Sequence, residues 1–202
     1  MAKMSIKRKR TLQYFIDAAK EIIEKDGANQ VTARKVGELS GYSYATIYNY
    51  FNDLKELLAY CALDYLEKCS KEISSIKTNG LDIVSIIQKY NATYFKFFAE
   101  NPNLFQLVFL EDLGDYPTQL LAKTAEPAAG YLLLKHLNKS VEEGIINKEA
   151  VNIIHQLNIS SIHGKLLFFN NNRDLTTMTE VIDLINKEVE FMIGGIKKWK
   201  KS

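Results

Sequence analysis

The side chains able to do chemistry are few and badly grouped for catalysis. His136, His155 and His163 are the three histidines of a 202-residue chain, and Cys61 and Cys69 its two cysteines. No Glu-x-x-His or His-Glu-x-x-His occurs, and neither cysteine stands at metal-ligand spacing from a histidine, so the spacing argues against a metal site. His155 and His163 share roughly one helical face, an arrangement that ordinary hydrogen-bonded histidines satisfy as well as a ligand pair. There is no Gly-x-Gly-x-x-Gly, no phosphate-binding loop and no Gly-x-Ser-x-Gly. No catalytic residue, metal or cofactor is expected.

One dense cluster is of a different kind. GYSYATIYNYF, Gly41 to Phe51, places four tyrosines in eleven positions. Helical spacing sends Val36, Leu39, Tyr42, Ile47 and Phe51 toward a shared core and leaves Tyr44, Ala45, Tyr48 and Asn49 on the opposite side. A solvated helix face ordinarily carries Glu, Lys or Gln, and this one has none of them. Small Ala45 permits close approach to a groove, while tyrosine hydroxyls and an asparagine amide can donate to phosphates or base edges; Asn49 is suited to adenine. Packing of the same rings on a neighbouring helix is the alternative.

The elements that must position this cluster are helical. Leu12, Phe15, Ile16, Ala19, Ile22 and Ile23 form one face of a helix that ends at Gly27. Thr32 can cap a second helix through Leu39, stopped by Gly41, and Ser43 a third through Tyr50. Asp53 and Glu56 form a capping box for a fourth helix running to about Ile76. Helices two and three, joined by the glycine-containing turn SGYS and backed by the first, have the layout of a helix-turn-helix. Beyond Asn79, LDIVSIIQKYNATYFKFFAENP predicts a long aromatic-rich helix closed by Pro102. A broken region follows with Gly114, Pro117 and Pro127. Two long periodic segments then run from Lys148 to Phe169 and from Thr176 to Lys197, separated by NNNRD. The expected fold is all-α.

Composition fits this reading. A hydrophobic content of 47% is enough for a real core, and a formal net charge of +2 gives no general case for nucleic-acid binding. The distribution does give one: residues 1–60 hold ten Lys and Arg against seven Asp and Glu, whereas the remainder holds sixteen against seventeen. Lys3, Lys7, Arg8, Lys9 and Arg10 precede the first periodic segment, either as an arm that reaches phosphates or as a solvated, disordered start. The two cysteines fall on one helix, about 12 Å apart along its axis, and cannot bridge each other within it. With no signal-peptide pattern, this leads to the expectation of a reducing, cytoplasmic location. No apolar run approaches the length of a membrane span.

Gly27 and the run VTARKVGELSGYSYATIYNYFNDLKELL, Val31 to Leu58, resemble the N-terminal domain of the TetR/AcrR family of bacterial transcriptional regulators. The resemblance covers about a quarter of the chain, matching a capping Thr, a regular apolar helix, Gly, Ser, Thr, Tyr-x-Tyr-Phe and a Leu-Leu pair. It implies that Tyr44, Thr46, Tyr48 and Asn49 line the DNA face of a recognition helix, with Thr32 and Ser43 near phosphates. Two departures stand out. Gly37 replaces the usual alanine, at a helix-propensity cost of about 1 kcal/mol. Leu54 replaces a usual lysine, for which Lys55 is the nearest substitute, about 100° around the helix.

The resemblance also shapes the reading of the remainder. Tyr90, Tyr94, Phe95, Phe97, Phe98, Phe105, Phe109, Tyr116 and Tyr131 form an aromatic series that could be plain core. The family's C-terminal domains typically enclose a pocket for a small, largely apolar effector, for which Tyr90, Tyr94, Phe97, Phe98, Phe105 and Phe109 are the candidates. In the last two helices Ile153, Ile154, Leu157, Ser161, Gly164, Leu167 and Phe168 share a face, as do Val181, Leu184, Ile185, Glu188 and Met192. Ser160 and Gly164 allow close backbone approach, and two such helices suit a four-helix dimer interface or, alternatively, intramolecular packing. The expected organisation is a DNA-binding domain over residues 1–52 and an effector-binding and dimerisation domain over 53–202, with a connecting helix from Asp53 to Ile76. The function implied is a dimeric repressor of a palindromic operator, released by its effector. Two alternatives stay open: a ligand-independent helical protein that binds DNA and recruits partners through its C-terminal half, and a helical-bundle enzyme.

Overall fold

The structure is a computed structural model describing residues 5–114, 129–173 and 176–198. Lys3, Tyr116 and the stretch around Pro117 and Pro127 lie outside these residues. Among the described residues the chain is helical, with no strand. They fall into two compact units, 5–67 with 101–114, and 68–100 with 129–173 and 176–198.

In the first unit α1 spans Ile6–Asp26, capped by Ser5, whose hydroxyl accepts from the Arg8 amide. The helix thus begins six residues before Leu12, and the basic residues 7–10 sit on its first turns. Phe15, Ile16, Ala19, Ile22 and Ile23 are buried along one face, and Gly27, at φ +91°, lets the chain leave. Helix α2 is Ala33–Ser40; Thr32 Oγ1 accepts from the Lys35 amide at 3.2 Å, which is the cap the sequence predicts. Gly41, at φ +76°, ends it in the left-handed region. Helix α3 is only Tyr44–Ile47, after which the amides of Asn49 and Tyr50 donate to Thr46 and Ile47 carbonyls in tight turns. Helix α4, Leu54–Ser74, opens with the expected box: Asp53 Oδ1 accepts from the Glu56 amide at 2.8 Å and Glu56 Oε2 from the Asn52 amide at 2.7 Å.

Phe15 is the hub of this unit's core, with ring centroids 5.3 Å from Tyr42, 5.4 Å from Tyr50 and 6.3 Å from Phe51. Leu39, expected inside, is half exposed, because α2 buries its Val36 and Gly37 side and turns Leu39 away. A short helix α6, Pro102–Phe109, follows directly on Pro102 where a broken region was expected. Pro102 opens it at a position where the missing N–H costs nothing.

The second unit is built from α5 (Ile83–Ala99), α7 (Ala129–Glu142), α8 (Lys148–Asn170) and α9 (Met178–Lys198). Asp82 caps α5 and Asn147 caps α8, while Thr177 and Glu180 form a reciprocal box at the start of α9. Ile83, Ile87, Leu133, Leu137, Ala150, Ile154, Val189 and Ile193 make its core. Helix α7 is absent from the sequence reading; Leu133, Leu137 and Ser140 face inward at helical spacing, but the run is short and the adjacent Leu132 and Leu134 blur its period. Ile154, grouped above on one face with Ile153 and Leu157, is fully buried, whereas those two are exposed.

Candidate nucleic-acid interface and effector domain

Tyr44 and Tyr48 stand outside as their spacing predicts, whereas Tyr42, expected in the core, is itself 37% exposed. Tyr44 and Tyr48 are 63% and 50% exposed, and Ala45 and Asn49 are exposed beside them, whereas Ile47 and Phe51 are buried beneath. Tyr42 lies at the edge of the core, its ring against Phe15 and its hydroxyl 3.4 Å from Thr11 Oγ1. This face therefore presents two phenol hydroxyls, an amide and a methyl to solvent, and no charge. Ser43 stands at the N-cap of α3 and its carbonyl accepts from the Thr46 amide, but its hydroxyl accepts no backbone amide and pairs instead with the Thr46 hydroxyl at 2.8 Å. Thr32 is exposed at the start of α2, its Oγ1 already occupied by the cap.

The basic side chains have separate fates. The Arg8 guanidinium donates to the Asn49 carbonyl at 2.7 Å and lies over the Tyr50 ring, 4.6 Å from its centroid. Lys7, Lys9 and Arg10 are exposed without an ion pair among the described residues. Lys55, the substitute for the family's lysine, pairs with Asp112 at 2.5 Å. That hydrogen bond raises the Lys55 pKa and, with the Gly114 amide, lowers that of Asp112. Because both groups are solvated, a phosphate can compete for Lys55 at little cost.

Gly37 is the residue whose role the sequence understates. A Cβ there would come within 2.8 Å of the Tyr42 carbonyl oxygen and 3.1 Å of the Tyr44 nitrogen, so the turn and the start of α3 lie directly on the bare glycine. The departure from alanine is a matter of space as well as propensity.

In the second unit, the aromatic candidates on α5 are mostly packed and hydrogen-bonded. Tyr90 Oη lies 3.0 Å from His136 Nε2, and Tyr94 Oη 2.7 Å from His163 Nε2. Between them, Asn91 and Asn158 exchange two amide bonds of 2.7 and 3.0 Å at full burial. Burial lowers the pKa of His163, and that of His136 with added repulsion from Lys135 and Lys139. Burial also raises both tyrosines, so these pairs are neutral near neutral pH. Phe97 and Phe98 are buried against each other, with centroids 5.0 Å apart. Phe105 and Phe109 pair at 5.3 Å on α6, which belongs to the first unit. The histidine partners are the residues sequence reasoning missed, since three scattered histidines gave no spacing signal.

The cysteines are inert by placement. Burial raises the Cys61 thiol, and pushes Cys69 up to about 12 with a contribution from Glu72.

A cavity of about 480 Å³ opens on α8 and α9, with Ile153, Leu157, Ser161, Glu188, Phe191 and Met192 on its walls and the Asn91–Asn158 pair among its lining residues. None of the six proposed effector residues lines it. The α8 face around it exposes Ile153, Leu157, Leu167 and Phe168, and α9 exposes Leu184 and, at 85%, Phe191. Ser160 is exposed and Gly164 partly so, and a Cβ on Gly164 would meet nothing. Val181 and Ile185 are buried within the unit and Met192 is half-buried. Lys165 binds Glu188 at 2.6 Å, and Ser161 donates to the same carboxylate at 2.6 Å, giving the apolar face one polar mark.

No helix among the described residues is long and apolar enough to cross a membrane, and no cluster of three or more His, Cys, Asp or Glu there could hold a metal.

Comparison with known proteins agrees with this geometry. Residues 15–61 match the profile of bacterial regulatory proteins of the tetR family. Over 205 aligned residues the chain is 25% identical to the fatty acid metabolism regulator protein of Bacillus subtilis (strain 168), covering 96% of this chain and 98% of the relative. Among solved structures, the fatty acid degradation regulator FadR of Bacillus halodurans aligns at a TM-score of 0.63 and 18% identity, over 93% of this chain and 96% of that one. FadR from Bacillus subtilis in complex with stearoyl-CoA aligns at 0.63 and 19%, over 91% and 98%. At these identities the structures establish the fold, and the relatives are regulators rather than enzymes.

Proposed function

Because this chain belongs to the TetR family of bacterial transcriptional regulators, we propose that it is a ligand-responsive repressor that binds a palindromic operator as a homodimer. The observation that carries the reading is the uncharged, half-exposed face that Tyr44 and Ala45 on α3, the second helix of a helix-turn-helix, form with Tyr48 and Asn49 in the turn that follows it. Among the described residues these side chains remain exposed, and a major groove accepts their hydroxyls, amide and methyl. Residues 1–52 form the DNA-reading part, with Thr46 beside the recognition face, Thr32 and Ser43 at its margins and the solvated cations nearby for phosphates. Residues 53–202 bind the effector and dimerise.

The dimer contact is assigned to α8 and α9, where Ile153, Leu157, Ser160, Gly164, Phe168 and Leu184 face solvent around an apolar groove. An isologous pairing of these two helices makes a four-helix interface and sets the separation of two recognition helices near one turn of DNA. The effector acts to the extent that it prefers a subunit arrangement that no longer matches that separation. The relative in complex with stearoyl-CoA supports a long-chain acyl thioester as the ligand to test before others. A second reading, in which the C-terminal half is ligand-independent, is favoured by the closed packing of Tyr94, Phe97 and Phe98.

Selection of genomic fragments on the purified protein tests the reading. A shared palindrome among the fragments, lost with Tyr48→Ala, is the expected result; sequence-blind retention would sink the operator assignment. Stabilisation of the protein by stearoyl-CoA in a thermal shift, with release of the selected fragments, separates the two readings of the C-terminal half.

A further inference from the structure

Arg8 makes a contact that runs against the role a cation beside a DNA-reading helix ordinarily has. Its guanidinium is committed within the protein, to the carbonyl of Asn49 at 2.7 Å and to the face of Tyr50. Those two residues are where α3 has ended and the backbone turns back toward α4. With four residues of regular helix, α3 cannot hold its own orientation, because so short a helix is unstable without outside contacts. At its start the Ser43 hydroxyl pairs with Thr46 and makes no backbone cap. At its end the carbonyls carry partial negative charge, which a cation satisfies. A guanidinium does this with a planar, charge-assisted bond while its flat face stacks on a ring, a combination that an ammonium lacks.

We propose that Arg8 is a positioning residue for DNA recognition: a strut from the first turn of α1 that fixes the C-terminal end of α3, and with it the side chains of Tyr48 and Asn49. Phosphate contact falls to Lys7, Lys9 and Arg10, which are exposed one to two residues away and unpaired among the described residues. The inference rests on the operator-binding reading above. It assigns to a single arginine, 41 residues from its partner in sequence, the selectivity of a face it does not belong to.

The test uses a labelled duplex carrying the sequence that the wild-type protein enriches from a random library, a scrambled duplex of equal length, and a salt series. Arg8→Ala is expected to bind the selected duplex about tenfold more weakly, the scrambled duplex unchanged, and with the wild-type salt slope. Arg8→Lys is expected to behave like Arg8→Ala, because the charge is kept and the stack is lost. Arg10→Ala, by contrast, weakens both duplexes alike and reduces the slope by about one. In the free protein, amide exchange at Asn49, Tyr50 and Phe51 is expected to quicken about tenfold in Arg8→Ala, since their bonds to Thr46 and Ile47 lose the strut. Full rescue by lysine, an equal loss on both duplexes with a flatter slope, or unchanged exchange would each overturn the strut and leave the operator reading intact. A wild-type protein with no preference for any duplex overturns the operator reading and the recognition role of Arg8 together.

Discussion

A methyl group on Gly37 would lie 2.8 Å from the carbonyl oxygen of Tyr42, closer than a carbon can approach without moving backbone. Propensity alone says that Gly37→Ala stabilises α2 by about 1 kcal/mol. The overlap, with a rigid turn rather than a flexible side chain, opposes this by about 1–3 kcal/mol. The expected outcome is a lower thermal midpoint, by up to a few degrees, and weaker operator binding as α3 is pushed outward. A higher midpoint with binding intact would show that the turn yields easily.

The Asn91–Asn158 pair is buried and reciprocal, so removing one partner strands the other. Asn158→Ala should destabilise the second unit by about 1–3 kcal/mol in denaturant unfolding. Replacing both residues with leucine should cost less than the sum of the single changes, giving a coupling of about 1 kcal/mol or more. Strict additivity would mean that each amide finds water instead.

Burial keeps His163 neutral, and its consequence is a loss of stability in acid. As pH falls below the ordinary imidazole value of about 6.5, the unfolded chain takes up the proton before the folded chain does. Stability therefore declines from about that pH downward until the lowered folded pKa is reached, and is level above it. His163→Gln keeps a hydrogen-bonding side chain beside Tyr94 and removes the titration. Its thermal midpoint should fall less between about pH 7 and pH 5 than that of the wild type; parallel curves would contradict the burial of a neutral ring.

Leu157 and Phe191 are 55% and 85% exposed on the groove side of α8 and α9. If that side is the dimer contact, Leu157→Arg shifts sedimentation from dimer to monomer and makes thermal stability independent of concentration, where the wild type depends on it. A dimeric Leu157→Arg protein would place the contact elsewhere.

The helix-turn-helix was legible because local signals agreed with tertiary structure there: Thr32 caps α2, Gly41 ends it, Asp53 and Glu56 open α4, and Tyr44 and Tyr48 lie outside while Ile47 and Phe51 lie inside. Leu39 misled because α2 has barely two turns, and a glycine, invisible to hydrophobic periodicity, takes the closest contact. The second half was less legible. Tyr90 and Tyr94 read as apolar pocket wall, yet each meets a histidine from a helix 46 or 69 residues away, a pairing fixed by tertiary packing alone. Arg8 was counted with the phosphate contacts, since nothing local marks a guanidinium that will reach the end of another helix. Phe191 passed unnoticed because its neighbours on α9 already satisfied an amphipathic pattern without it.

The central claim is that the Tyr44–Asn49 face reads DNA sequence. Its most direct test is anisotropy of the wild-type protein and Tyr48→Ala on the selected and scrambled duplexes at matched salt. The account predicts that the wild type prefers the selected duplex by about a thousandfold or more, and that Tyr48→Ala loses most of this preference while keeping its scrambled-duplex affinity. Equal preference in the two proteins, or none in either, would contradict it.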